Sequence, residues 1–173
     1  TDDVYYKTLE RTWYMDTLIK RHCDIMNVND PENKIKLIVD EWGTWYNVEE
    51  GTNPGFLFQQ NTMRDAMVAS INLNIFNAQS DRVAMANLAQ AVNVLQALIL
   101  TEGERMVLTP TYHIFDLYKN HQGANLCYSS IEDIRQDGYD LPVISQSVSI
   151  NDKNEMTLTL SNCSLSESVS VDT

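Results

Sequence analysis

The run Lys34-Ile35-Lys36-Leu37-Ile38-Val39 turns continuously apolar towards its end and then stops on two carboxylates, Asp40 and Glu41. A run this short and this rich in β-branched residues predicts a strand, and its unbroken apolar end predicts burial on both faces. Long helical patterns stand before and after it. A strand framed by helices belongs to a sheet built from alternating strand and helix units, which confines the first part of the chain to an α/β fold.

The flanking patterns support this. Residues 3–26 carry Tyr5, Leu9, Trp13, Leu18, Ile19, His22 and Met26 at three- and four-residue steps, predicting one amphipathic helix stopped by Asn27, Asn29, Asp30 and Pro31. After a loop from Glu49 to Gly55, a second helix is predicted over about 58–76, with Met63, Ala66, Met67, Ser70, Ile71 and Asn74 on its inner stripe. Asp81 to Ala86 reads as a second short buried strand, and Ala91 to Leu100 as either helix or buried segment. Thr109-Pro110 is a helix start, Thr as cap and Pro as first helical residue, for a helix reaching about His121 with Tyr112, Phe115, Leu117 and Tyr118 near one side.

Beyond Gly123 the helical periodicity gives way to alternation. Val143, Ser145, Ser147 and Ser149 interleave with Ile144, Val148 and Ile150, and Met156 to Leu160 alternates after an Asp152-Lys153-Asn154 turn. The expected fold is therefore α/β followed by all-β. Residues 1–122 would be the closing units of a (β/α)₈ barrel and residues 123–173 the start of a C-terminal antiparallel β-sandwich. A whole barrel takes about 250 residues, so the helix–strand part is at most its last third.

With 43% hydrophobic residues in 173, the chain can bury a real core. Its 12 Lys and Arg against 24 Asp and Glu give a net charge of -12, which repels phosphate backbones and anionic lipid and argues against nucleic acid and membrane partners. No stretch approaches the roughly 18 apolar residues of a membrane helix. Cys23, Cys127 and Cys163 are odd in number and widely spaced, fitting neither a metal site nor a disulfide framework. The opening Thr1-Asp2-Asp3-Val4 lacks a starting Met and a signal-peptide pattern, as expected of a chain that begins inside a longer one. The compartment is then open: cytoplasmic, or periplasmic or secreted if a preceding segment carries a signal.

Asp40-Glu41 is the pair with the most chemistry in it. Ligands of parallel α/β folds bind at the carboxyl ends of strands, and here two acids leave a strand just before Trp42, Trp45 and Tyr46. Carboxylates beside indoles suit sugar chemistry: an acid attacks or stabilises an oxocarbenium-like centre, and ring C–H faces pack on the aromatics. The blander alternative, a loop-start pair bound to backbone amides or a nearby Arg, is the commoner arrangement on spacing alone.

Ile38-Val39-Asp40-Glu41-Trp42-Gly43-Thr44-Trp45-Tyr46 resembles the nucleophile segment of the α-L-arabinofuranosidases of glycoside hydrolase family fifty-one. So do, in order, Gly51 to Phe56, Gln59 to Ala66, Asn72 to Phe76, Asp81 to Gln90 and Leu108 to His113. The resemblance implies that Glu41 is the catalytic nucleophile at the end of the seventh barrel strand. It also implies that Trp45 packs against the sugar and that Gln90, just after the eighth strand, contacts substrate. It implies an arabinose-containing oligo- or polysaccharide as substrate, no metal or organic cofactor, and a homo-oligomer, often a hexamer in relatives. The family's acid/base, a Glu after an Asn on the fourth strand, has no counterpart; the chain's Asn154-Glu155 falls in the sandwich turn. Asp40 is expected to anchor the strand end, with sugar contact second. His113 is expected to be a packing residue, His22 and His121 surface or edge residues, Met63 and Met67 core, and Arg64–Asp65 an internal or interface ion pair. Two rival functions remain: a β-glucan-active relative, and a non-catalytic carbohydrate-binding or interaction piece using Trp42 and Trp45 as its platform.

Overall fold

The computed structural model describes residues 1–172. Its helices are α1 (Asp2–Thr12), α2 (Tyr14–Asn29), α3 (Met63–Ala78) and α4 (Pro110–Tyr118). Its strands are β1 (Leu37–Trp42), β2 (Val83–Leu88), β3 (Ile99–Glu102), β4 (Arg105–Leu108), β5 (Asn125–Leu126), β6 (Ile144–Ile150) and β7 (Met156–Asn162). Strands β1 and β2 pair in parallel, with α3 as the connection between them. The pairs β3–β4, β5–β6 and β6–β7 are antiparallel. Among the described residues, no helix is long and apolar enough to cross a membrane.

The single helix expected over residues 3–26 is two helices that meet at Trp13. The Thr8 and Thr12 hydroxyls donate back to the Val4 and Thr8 carbonyls at 2.7 and 2.9 Å, a bonding pattern that bends helices. The join is tightened by i→i−3 bonds from the Trp13 and Asp16 amides. Leu9 and Ile19 enter the core, whereas Leu18 and His22 stay exposed.

Helix α3 is the centre of the molecule. It begins at Met63 and not near Phe58, because Thr62 and Asp65 form a capping box there. It is buried nearly all round, since α1, α2, α4, β2, β6 and β7 all contact it. The expected single stripe is therefore too narrow, and Met63, assigned to the core, is 63% exposed. Trp42 closes the same core from β1, its ring 5.3 Å from Phe76 and stacked at 6.0 Å on Phe115. Leu117 of α4 points away from it, 63% exposed.

Burial on both faces of β1 and β2 is not what the structure has. Leu37 and Val39 pack towards the helices, but Ile38 and Met85 are 50% and 53% exposed on the opposite face, which no element among the described residues covers. Residues 91–98 are irregular, with Leu95, Gln96 and Ala97 buried, and the apolar stretch ends as β3. The β3–β4 hairpin turns at Gly103, φ +58, a single glycine that leaves little turn signal in the sequence.

Arg82 fastens the start of both parallel strands. Its guanidinium is buried and donates to Asp30 Oδ2 and the Ile35 carbonyl at 2.8 Å, to Asn27 Oδ1 at 2.6 Å and to the Asp30 carbonyl at 3.0 Å. The β6–β7 sheet docks on α3 by its polar face. Asn74 and Asn77 donate to the Ser145 and Ser147 hydroxyls at 2.8 and 3.0 Å, and His121 bonds Ser149 at 2.8 Å and Thr159 at 3.1 Å. His121 is thus a buried seam residue, contrary to the surface or edge position expected of it, because Ser149 and Thr159 give its two ring nitrogens partners. His113, expected to pack, is exposed. The leucines of β7 lie on the outer face, Leu158 and Leu160 40% and 41% exposed.

Candidate active site

The parallel pairing brings the carboxyl ends of β1 and β2 to one edge. Trp42 is in register with Leu88, so Glu41 and Gln90 leave neighbouring strands at the same end. Between Val39 and Trp42 the register slips: β1 takes three steps while β2 takes two, from Ala86 to Leu88. Such a bulge re-aims side chains, and bulges gather next to active sites. Here Trp42 turns into the core while Asp40 and Glu41 both stay exposed. Neither carboxylate makes a hydrogen bond or ion pair with another side chain among the described residues. The anchoring role expected of Asp40 is therefore not made here, since Arg82 fastens the sheet from its opposite end.

Immediately after the bulge the backbone loses its strand partner and is held by side chains. Gly43 has φ +122, and a Cβ there would stand 2.6 Å from Gln96 Cγ, so both conformation and space require glycine. The Thr44 carbonyl accepts from Gln59 Nε2 and from Gln96 Nε2, each at 3.1 Å. The Thr44 hydroxyl donates to Asp65 Oδ1 at 2.9 Å and accepts from Gln96 Nε2. The Tyr46 amide donates to Gln59 Oε1 at 2.8 Å. Gln59, Gln96 and Asp65 are all essentially inaccessible to solvent. Asp65 also accepts from the Thr62 amide at 2.8 Å and the Thr62 hydroxyl at 3.0 Å. The Arg64 guanidinium lies 3.9 Å from Asp65 and stacks over the Tyr46 ring, 3.9 Å from its centroid. The expected Arg64–Asp65 pair exists, but the closer partners of Asp65 are threonines.

Trp45 stands between the two fastened residues with 68% of its surface exposed. A cleft beside it is lined by Arg11, Tyr14, Met15, Gly43, Thr44 and Tyr46, and does not reach Glu41 or Gln90. A more apolar groove, with Phe56, Phe58, Met106 and Val107, lies between the loop after β1 and the β3–β4 hairpin. The sequence reading missed the fastening residues. One signal was present: Thr62-x-x-Asp65 has the spacing of a capping box. Nothing in spacing could pair Gln59 and Gln96 with Thr44. Asn154-Glu155 lies in the β6–β7 turn, Asn154 at φ +63 and Glu155 bonded to Asn151, far along the chain from the parallel strands.

Residues 40–173 match the family described as the α-L-arabinofuranosidase C-terminal domain. The chain is 44% identical over 168 residues to an intracellular exo-α-L-arabinofuranosidase of Bacteroides ovatus, covering 95% of this chain and 33% of that protein. It is 26% identical over 167 residues to the intracellular exo-α-(1→5)-L-arabinofuranosidase 1 of Bacillus subtilis (strain 168), covering 88% of this chain and 33% of the relative. Its fold superposes on the GH51 arabinofuranosidase of Xanthomonas axonopodis pv. citri with a TM-score of 0.91 and 47% identity, over 96% of this chain and 34% of that one. The arabinose complex of the Thermotoga maritima α-L-arabinofuranosidase shares the fold, with a TM-score of 0.72 at 24% identity, over 91% of this chain and 35% of that one. The chain thus spans about a third of the length of the relatives it matches. A domain match across most of its length, with a closely superposing GH51 structure, places the chain in the α-L-arabinofuranosidase C-terminal domain family.

Proposed function

We propose that this chain is the C-terminal portion of a retaining α-L-arabinofuranosidase, with residues 1–122 closing its barrel and residues 123–173 opening its sandwich. The substrate class is α-L-arabinofuranosyl groups on arabinan- or arabinoxylan-type glycans. The observation that carries this reading is the bulge at Asp40-Glu41, which leaves Glu41 exposed at the carboxyl end of β1, four residues before an exposed Trp45 whose neighbours are held.

In the proposed mechanism the ionised Glu41 carboxylate attacks the anomeric carbon and the glycosidic oxygen leaves, giving a covalent arabinosyl ester that water then opens. A second carboxyl, about 5 Å away across the bond, must protonate the leaving oxygen and later activate the water. This chain supplies the nucleophile, and the acid/base comes from the part of the barrel outside it. Trp45 offers an apolar face to the sugar ring, and Gln90 a hydrogen bond from the adjacent strand end. A homo-oligomer is the proposed working form, as the family resemblance implies.

In the full-length enzyme, Glu41→Ala is expected to keep the fold and lower turnover of an aryl α-L-arabinofuranoside by about 10⁴-fold or more, the scale of losing a catalytic nucleophile. Turnover near wild type in that variant contradicts the assignment. Comparing the arabinofuranoside with cellulosic substrates separates this activity from that of a β-glucan-active relative.

A further inference from the structure

We infer that Asp65, Gln59 and Gln96 are positioning residues that hold Thr44 and Tyr46 so that the Trp45 indole and the Glu41 carboxylate keep one geometry for the sugar. The inference rests on the reading of Glu41 and Trp45 given above. Three strongly polar side chains are buried with their polar atoms bonded to the Thr44–Tyr46 loop, so they fix its geometry. Their bonds are complementary. The Thr44 hydroxyl gives its proton to Asp65 and takes one from Gln96, while Gln59 accepts from the Tyr46 amide and donates to the Thr44 carbonyl. A network satisfied in this way rigidifies what it touches.

The network also joins the three segments that a working site must keep in register. Thr44 follows the nucleophile strand, Gln59 and Asp65 belong to the entry of α3, and Gln96 comes from the loop after β2 that also carries Gln90. Trp45 itself makes no hydrogen bond among the described residues. Its direction is therefore set by its fastened neighbours. Gly43 completes the device, since any side chain there would push Gln96 away from Thr44. The ionic contribution of Asp65 matters as well, because hydrogen bonds to a carboxylate are about twice as strong as neutral ones.

The test pairs Thr44→Val, which removes the hydroxyl at constant shape, with Thr44→Ser, which restores it. Hydrogen exchange of residues 43–47 and kinetics are both followed in the full-length enzyme. Thr44→Val is expected to speed exchange in that segment and lower kcat/KM by about a hundredfold, chiefly through kcat, the cost of misplacing reacting groups by about 1 Å. Thr44→Ser is expected to return both to within about threefold of wild type, on the premise that the hydroxyl network fixes the geometry. Gln59→Leu, on the far side of the loop, should act in the same direction as Thr44→Val and serves if that variant does not fold. Wild-type exchange and kinetics in both Thr44→Val and Gln59→Leu would overturn the inference, as would equal losses in the Val and Ser variants. Retained activity in Glu41→Ala would instead overturn the functional reading and leave the exchange result standing.

Discussion

His121 shows how a single buried group gives the molecule a pH dependence. Burial in the seam between α3 and the β6–β7 sheet pushes its imidazole below its ordinary pKa of 6.5. Both hydroxyl partners, on Ser149 and Thr159, can accept as well as donate, so neutral imidazole is bonded without cost. The unfolded chain takes up a proton near pH 6.5, whereas the folded chain does so only lower. Stability is therefore complete above about pH 6.5 and falls as the pH drops from there towards the folded pKa. The Tm of the chain is expected to decline between pH 7 and 5, and His121→Gln to flatten that decline. A decline of equal slope in the variant would assign it to other groups. Asp30 does not blur this window. Its carboxyl lies below the ordinary carboxylate range, through the Ile35 amide first and Arg82 next, so its stabilisation is lost only at more acid pH. Cys163 illustrates the opposite extreme, a thiol pushed up to about 12 by complete burial and inert at neutral pH.

Among the elements, the parallel β1–α3–β2 unit is fastened at the start of its strands by Arg82. Four acceptors from the end of α2 and the approach to β1 converge on one buried guanidinium. Arg82→Met fills similar space but leaves the Asp30 carboxylate without its cation. The expected loss is about 1–3 kcal/mol in denaturant unfolding, the range for leaving buried hydrogen-bond acceptors without their donor. A loss below about 1 kcal/mol would show the clasp to be dispensable, as for a surface pair. The order of helices and strands was legible in the sequence because periods of 3.6 and 2 are local signals, and the Thr109-Pro110 start is a local signal too. The face each element buries was less legible. Alternation in residues 143–150 separates Ser145, Ser147 and Ser149 from their neighbours, yet only the presence of Asn74, Asn77 and His121 on the facing elements decides that the serines turn inward. The bend at Trp13 and the β3–β4 hairpin depend on hydroxyl back-bonds and one glycine, signals too weak to stand out in a sequence.

At the scale of the whole molecule, the chain spans about a third of the length of the relatives it matches, and its exposed apolar residues on β1 and β2 lie on the face turned away from the helices. Of the proposed site, spacing alone marked only the Asp40-Glu41 pair at the end of an apolar strand, and it was the family resemblance that selected Glu41 from it. Its surroundings could not be read from spacing, because Gln59, Asp65 and Gln96 reach Thr44 across 15, 21 and 52 residues of chain. The account turns on Glu41 forming a bond to the sugar. The direct measurement is peptide mass spectrometry of the full-length enzyme after reaction with an arabinofuranosyl substrate analogue whose ester intermediate hydrolyses slowly. The account predicts a sugar ester on the peptide containing Glu41, lost in Glu41→Gln, with products that retain anomeric configuration. An ester on another residue, or inverted products with no ester, would contradict it.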